Sequence, residues 1–221
     1  MNYVISIIAP SALESMTELC DELELPLTIA AHGRGTAVKS MLDLLGIESN
    51  ERRVVHTVAD AEKTKKLIEL QKRKLHIGVP GHGIVIAIPI KSVGGGKTLN
   101  YLKGDEKNAK YSPQISGAYE LIAVIANEGS TDTVMNAARA AGARGGTVLH
   151  GKGTGAKGAP KFYNVSIASE KEIILIVASS EQKAEIMRSV LKEAGPDSKA
   201  GAIVFSLPVT EVAGFGFFEE E

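Results

Sequence analysis

The sequence predicts an α+β protein made of two domains in tandem, and two observations support this. The same elements follow each other twice, as strand, helix, strand, strand, helix, strand. Corresponding residues are 116 to 119 positions apart, as Tyr3 and Tyr119 or Pro89 and Pro208 show. A repeat this long and this ordered indicates homologous domains. The element order gives an antiparallel four-stranded sheet with helices on one face, so each domain is predicted to be ferredoxin-like.

The first half begins with a mostly apolar run, 3–9, that ends at Pro10 and predicts a buried strand. Ser11, with Glu14 three residues later, is the predicted N-cap of the first helix. Cys20 falls on the apolar stripe of that helix and is predicted to be a core residue rather than a nucleophile. The further elements predicted are a strand at 27–31, a short helix within 37–50, a strand at 53–58, a helix at 61–74 and a strand at 84–90.

The second half repeats the plan. Its predicted elements are a strand at 119–126, a helix at 130–141, strands at 146–150 and 171–178, a helix at 181–193 and a strand at 202–209. Between the halves, a polar, glycine-containing stretch predicts a linker or arm. The predicted boundaries are therefore 1–95 for the first domain, 96–117 for the linker and 118–221 for the second domain.

One glycine-rich motif occurs in both halves and ends a strand-like run in each. Alternating glycines with one basic residue leave backbone N–H groups open to an anion, so both copies are predicted to be ligand-binding loops. A turn that only reverses the chain is the alternative. The motifs are His32-Gly33-Arg34-Gly35-Thr36 and His150-Gly151-Lys152-Gly153-Thr154. The candidate ligand-binding residues are Gly33, Arg34, Gly35, Gly151, Lys152, Gly153, Thr154 and Lys157.

Composition excludes several classes of protein. A net charge of -1 with interspersed signs argues against a nucleic-acid partner. The N-terminus lacks a basic leader region, and no apolar run approaches the roughly 20 residues of a membrane span. We therefore expect a cytoplasmic protein without a membrane span. The uncovered face of each small sheet favours assembly into a homo-oligomer.

No catalytic residue or metal ligand is predicted. The five histidines are His32, His56, His76, His82 and His150, and none pairs at the helical spacing of metal ligands. A site shared by His32 and His150 stays open, because nothing in the sequence places them together. No serine or cysteine has a recognisable nucleophile motif. The enzyme alternative is a ferredoxin-like protein whose glycine loops hold a phosphorylated substrate.

Several motifs resemble those of the PII nitrogen-regulatory signal-transduction proteins. They are the end of the first strand, the glycines after the second strand, a counterpart of the family's Gln-Lys-Gly, and the last strand with its repeat in the first half. The corresponding residues are Ile7-Ile8-Ala9-Pro10, Gly151-Lys152-Gly153, Ala156-Lys157-Gly158, 201–212 and 83–93.

This resemblance implies a non-catalytic regulator. It implies a ferredoxin-like fold, trimeric packing, an adenine nucleotide such as ATP or ADP between domains, and a mobile loop that contacts a regulated partner such as an enzyme or transporter, in nitrogen metabolism. Some residues depart from the family pattern. Ala156 replaces the glutamine that helps hold 2-oxoglutarate, and the nucleotide loop Gly-Asp-Gly-Lys corresponds to 81–84 and 199–202, without the final lysine.

Overall fold

The computed structural model describes residues 1–25, 27–36, 50–79, 81–90, 117–152, 161–162, 165–166 and 170–214. The described residues form two compact units. The first unit takes its residues from Met1–His32, Val38–Tyr119 and Pro208–Glu221, and the second from Gly33–Ala37 and Glu120–Leu207. The predicted linker and the helix within 37–50 fall almost entirely outside the described residues, so the predicted domain boundaries stay predictions.

Eleven strands and four α-helices are present in the described part of the chain. The strands are β1 (Asn2–Ile8), β2 (Thr28–Gly35), β3 (Glu51–Ala59), β4 (Gly83–Pro89), β5 (Tyr119–Asn127), β6 (Thr147–Lys152), β7 (Lys161–Phe162), β8 (Val165–Ser166), β9 (Glu170–Ser179), β10 (Ile203–Pro208) and β11 (Glu211–Ala213). The helices are α1 (Leu13–Glu22), α2 (Ala61–Lys74), α3 (Thr131–Ala140) and α4 (Ser180–Ala194).

The first unit has its strands in the order β2, β3, β1, β4, β11. Its central strand β1 pairs antiparallel with both neighbours, so Tyr3 lies opposite Val58 on one side and Ile88 on the other. The short strand β11 adds antiparallel to β4, with Val212 opposite Ile86. Leaving β11 aside, the order of the four repeat strands is that of a ferredoxin-like sheet, which confirms the predicted fold.

Both helices of the first unit pack on one face of its sheet. Met16 of α1 and Leu67 of α2 are fully buried against Val4 and Val55, which lie on the same face of the strands. Cys20 is 1% exposed in this core, as predicted, and burial raises the pKa of its thiol. An unreactive, protonated thiol is the expected result.

The two helices of the first unit differ in how their N-termini are capped. Asp60 accepts a hydrogen bond from the backbone N–H of Lys63 at 2.7 Å, which satisfies a free donor in the first turn of α2. The predicted cap at Ser11 is wrong. A 3-10 turn at Pro10–Ala12 precedes α1, so Ala12 is the residue before the helix and makes no side-chain cap.

The second unit repeats the arrangement with the strand order β10, β5, β9, β6. Its core consists of alternate strand residues, such as Ile122 and Ile174, packed against Met135 of α3 and Ile186 of α4. The order again matches a ferredoxin-like sheet, with helices on one face. In the same unit, β7 and β8 form a separate two-stranded antiparallel pair.

Candidate functional site

The first glycine motif lies in β2 instead of a loop. Arg34 and Gly35, at the end of β2, belong to the second unit, where Arg34 is opposite Val148 and Gly35 is opposite Thr147, in antiparallel register with β6. The prediction that the strand ends at residue 31 is therefore wrong, because extended backbone and strand pairing continue through Gly35. Pairing occupies backbone groups that an anion would need. The Arg34 side chain is exposed, and its proposed contact with a ligand stays a prediction.

Thr36, the last residue of this motif, is bound to the turn before β6. Its backbone N–H donates to the Gly146 carbonyl at 3.0 Å, and its hydroxyl accepts from the Gly146 N–H at 2.8 Å. The Arg139 guanidinium donates to the Thr36 carbonyl. Gly146 is tightly packed, since an added Cβ would lie 3.0 Å from the Leu175 carbonyl oxygen. This part of the motif therefore has a structural role in the second unit.

The second glycine motif begins inside β6. His150 lies opposite Glu172, Gly151 opposite Lys171 and Lys152 opposite Glu170. The strand is thus two residues longer than the predicted end at residue 150. Of Lys152 only the backbone is described. Gly153, Thr154 and Lys157 lie outside the described residues, so their predicted contacts with a ligand stay predictions.

A polar cluster lies where β5 ends and β9 begins, next to this motif. We call it the Lys171 cluster, and it consists of Asn127, Lys171 and Lys199–Gly201. The Lys171 ammonium donates to Asn127 Oδ1 at 2.5 Å, and Asn127 Nδ2 donates to the Lys199 carbonyl at 3.0 Å. The Asn127 backbone N–H donates to the Ala200 carbonyl at 2.9 Å. Asn127 therefore connects β9 with the segment that leads into β10.

Gly201 permits this close arrangement. Its φ is +54°, a left-handed conformation that glycine adopts without strain. An added Cβ would also lie 3.3 Å from Asn127 Nδ2. The segment 199–202 corresponds to the nucleotide loop in the PII resemblance, so the structure places that loop against Asn127.

Glu172 sits beside the cluster but is already fully bonded. It is 4% exposed, and its carboxylate accepts hydrogen bonds from Gly129 N–H, Ser130 N–H and Thr131 Oγ1 at 3.1, 3.1 and 2.8 Å. A helix N-terminus favours negative charge, and here the protein's own carboxylate supplies it to α3. The N-terminus of α3 is therefore not free to bind an external anion.

The Glu172 carboxylate is bound to the start of α3, so it does not pair with the lysines of the cluster. Among the ion pairs found within the described residues, none involves Lys171 or Lys199. Lys199 is exposed and Lys171 is half-buried. The Lys171 ammonium, on the strand next to the glycine motif of β6, can interact with an anionic ligand by charge-assisted hydrogen bonds.

Sequence reasoning missed Asn127, Lys171 and Glu172. Asn127 ends an apolar strand, and Lys171 and Glu172 stand in a short charged run at the start of another, a pattern common on solvated surfaces. The one available signal was the position of Glu172 directly before an apolar run. A glutamate that is buried there needs hydrogen-bond partners, which makes it unusual. Only the tertiary structure shows that Lys171 and Asn127 meet.

In the first unit, Tyr3 and His56 form a stacked pair on the sheet. The Tyr3 hydroxyl lies 2.7 Å from His56 Nδ1, and the ring centroids are 5.8 Å apart. Burial raises the pKa of Tyr3 and lowers the pKa of His56. Both groups are therefore neutral near pH 7, and the tautomer of the imidazole sets which of the two donates the hydrogen bond.

The fold and the site define the class of protein as a ferredoxin-like α+β protein with a polar cluster beside a strand-end glycine motif. Residues 119–215 match the family model "Nitrogen regulatory protein P-II". This part of the chain is similar to a P-II domain, and it contains the Lys171 cluster and the described part of the second glycine motif.

Three solved structures show a partial likeness. PII of Arabidopsis thaliana bound to citrate is 20% identical, with a TM-score of 0.33 over 42% of this chain and 77% of the other. A Bacillus cereus protein related to NIF3 is 14% identical, with a TM-score of 0.33 over 47% of this chain and 29% of the other. An unknown protein from Galdieria sulphuraria is 11% identical, with a TM-score of 0.30 over 95% of this chain and 98% of the other. Likeness at this level supports no conclusion about function.

A search among curated proteins finds no match to this sequence. Within the described residues, no helix has the length and apolar character needed to cross a membrane.

Proposed function

We propose that this chain is a non-catalytic, PII-type signalling protein that binds a small anionic effector in its second unit. The effector class we favour is an adenine nucleotide, ATP or ADP. The proposed site combines the Lys171 cluster with Gly151, Lys152, Gly153, Thr154 and Lys157. The single observation that carries the proposal is the position of Lys171, opposite Gly151 on neighbouring strands and bonded to Asn127.

The electrostatics of the site support an anion. The buried carboxylate of Glu172 is engaged by three donors of the α3 N-terminus, so its negative charge is compensated locally. Lys171 and Lys199 have no carboxylate partner among the described ion pairs. An anion held by the Lys171 ammonium would gain a charge-assisted hydrogen bond without displacing an ion pair found among the described residues.

The proposed output is a change in contacts with a regulated protein, an enzyme or transporter of nitrogen metabolism in the cytoplasm. A regulator of this kind needs a segment whose position depends on the ligand. The PII resemblance implies that the loop after the second strand has this role. The protein is proposed to act as a homo-oligomer.

The experiment is a thermal-shift screen of the full chain with ATP, ADP, AMP, cyclic nucleotides, 2-oxoglutarate and bicarbonate. A ligand that binds only the native state raises stability by about 2.7 kcal/mol at a hundredfold excess over its Kd. The best ligand is then measured by calorimetry on Lys171→Ala and on the double variant Lys152→Ala with Lys157→Ala. Lys72→Ala, an exposed lysine of α2, is the matched control.

We expect the site variants to lose most of the ligand-induced shift and the control to keep it. An equal shift in all variants would place the ligand elsewhere and overturn the site. A negative screen would count against the effector class. Turnover of a bound nucleotide or of another phosphorylated compound would contradict the non-catalytic role and favour the enzyme alternative.

A further inference from the structure

The connection between α2 and β4 brings two histidines of the first unit together. The ring centroids of His76 and His82 are 5.9 Å apart, and the ring planes meet at 89°. Both side chains are exposed to solvent. Six positions separate them in the sequence, on a non-helical segment, so no regular spacing reveals the pair.

Backbone hydrogen bonds hold the two histidines in place. The Val79 N–H donates to the His76 carbonyl at 3.0 Å, and the His82 N–H donates to the Val79 carbonyl at 3.1 Å. The Ile77 N–H donates to the Gln71 carbonyl in the last turn of α2, at 3.3 Å. Ile77 itself is 3% exposed, which anchors the segment in the core.

The backbone conformation also sets the direction of the side chains. His76 has a φ of +55°, in the left-handed region where His is enriched relative to most non-glycine residues. The segment ends at Gly83, where φ is +132° and an added Cβ would lie 2.2 Å from the Ile7 carbonyl oxygen. The path of the chain from His76 to His82 is therefore constrained at both ends.

We propose that His76 and His82 form a two-ligand site for a divalent first-row transition-metal ion such as Ni²⁺, Cu²⁺ or Zn²⁺. With metal–nitrogen distances of about 2.0–2.1 Å, the centroids of two imidazoles on one ion lie roughly 4.5 to 5.2 Å apart at the angles of octahedral and tetrahedral sites. The observed separation of 5.9 Å is slightly wider, and rotation of the two exposed side chains about their χ angles would bring the rings to the bound distance. Imidazole is a ligand that suits these ions, whereas Mg²⁺ and Ca²⁺ prefer oxygen.

The site is open rather than closed. Among the described residues, no three His, Cys, Asp or Glu side chains converge as a metal-binding group. The remaining coordination positions therefore belong to water or to a donor from outside the described residues. Both imidazoles must be neutral to bind, so protons compete with the metal and affinity falls on acidification.

The test is calorimetric titration of NiCl₂ and ZnCl₂ into the full chain without an affinity tag, at about pH 7.5 and about pH 5.5, on either side of the ordinary His pKa. His82→Ala and His76→Asn each remove one ligand, and asparagine tolerates the left-handed backbone of residue 76. His32→Ala and His150→Ala, exposed histidines on β2 and β6, are matched controls.

We expect a single ion per chain, with affinity lower by on the order of tenfold or more in either loop variant, unchanged in the controls, and reduced at the lower pH. A chain that binds neither metal overturns the proposal. So does binding that survives in His82→Ala, or binding that is lost equally in His32→Ala. If His76→Asn fails to fold, His82→Ala alone decides the outcome.

Discussion

The Glu172 carboxylate lies 3.1 Å from the backbone N–H of Ser130, although 42 residues separate the two in the chain. A buried acidic residue from a strand thus completes the start of a helix that lies elsewhere in the same unit. The same oxygen also accepts from the Thr131 hydroxyl, so one side chain satisfies donors that the helix cannot satisfy itself.

Glu172→Gln is expected to destabilise the second unit. The amide that replaces one carboxylate oxygen is a donor facing donors, and leaving buried groups unpaired costs about 1–3 kcal/mol. Urea denaturation of the full chain measures the loss. Glu69→Gln on the exposed face of α2 is the control, with an expected change within about 0.5 kcal/mol. Equal effects in the two variants would show that the cap contributes nothing specific.

Thr36→Val is expected to lower stability while preserving the shape of the side chain. The valine cannot accept the hydrogen bond that Gly146 N–H donates at 2.8 Å, and an unpaired, partly buried donor costs about 1–3 kcal/mol. Thermal unfolding checks this. Thr133→Val, an exposed threonine of α3, controls for the change of residue type. A melting temperature equal to that of the control would mean that water replaces the threonine hydroxyl.

Gly214→Ala is expected to loosen β11 from β4. Gly214 has a φ of +83°, and an added Cβ would lie 2.3 Å from the Gly83 carbonyl oxygen, so the backbone must move. The readout is hydrogen exchange at Thr210, whose N–H donates to the Ala87 carbonyl at 2.8 Å. Gly78→Ala is the matched control, since its φ is +121° but nothing lies within 4 Å of the added carbon.

Faster exchange at Thr210 in Gly214→Ala than in Gly78→Ala would show that the contact between backbones matters beyond the left-handed conformation. Each alanine is also expected to lower overall stability, because forcing a non-glycine residue into this region costs roughly 1–2 kcal/mol. Protection at Thr210 that is the same in both variants contradicts the prediction.

Acid is expected to weaken the first unit through His56. Burial lowers its pKa in the folded protein below the ordinary value of 6.5. The unfolded chain therefore binds more protons just below that pH, and the free energy of unfolding falls as pH drops from about 7 to about 5. Urea denaturation at several pH values measures the slope.

His56→Gln should show a smaller slope in this window, because glutamine does not titrate. Tyr3 is expected to weaken the fold in alkali. Burial raises its pKa in the folded protein, so stability is lost as pH rises above 10.0, the value at which the unfolded side chain ionises. Tyr3→Phe removes that alkaline effect. The same acid slope in the wild type and in His56→Gln would refute the assignment.

Periodicity and capping residues in the sequence were sufficient to predict most elements. The helix at 61–74 has the predicted bounds, because Asp60 caps it and its apolar residues recur at helical spacing. The strands beginning near Tyr3, Tyr119 and Lys171 were found to within a residue or two, because buried β-branched runs are short and bounded by turn residues. The predicted cap at Ser11 failed, because Pro10 starts a 3-10 turn that a capping-box pattern does not anticipate.

Local sequence determined which segments are strands and helices, and the repeat determined that the plan occurs twice. Which groups meet was decided by tertiary structure. Glycines between Ala31 and Thr36 predict a loop by themselves, but strand pairing with β6 makes them extended. The contacts of Asn127 with Lys171, of Glu172 with α3 and of His76 with His82 follow the same rule. Each contact depends on strand order or on the path of an irregular segment. Strand order and irregular paths leave no periodic signal in the sequence.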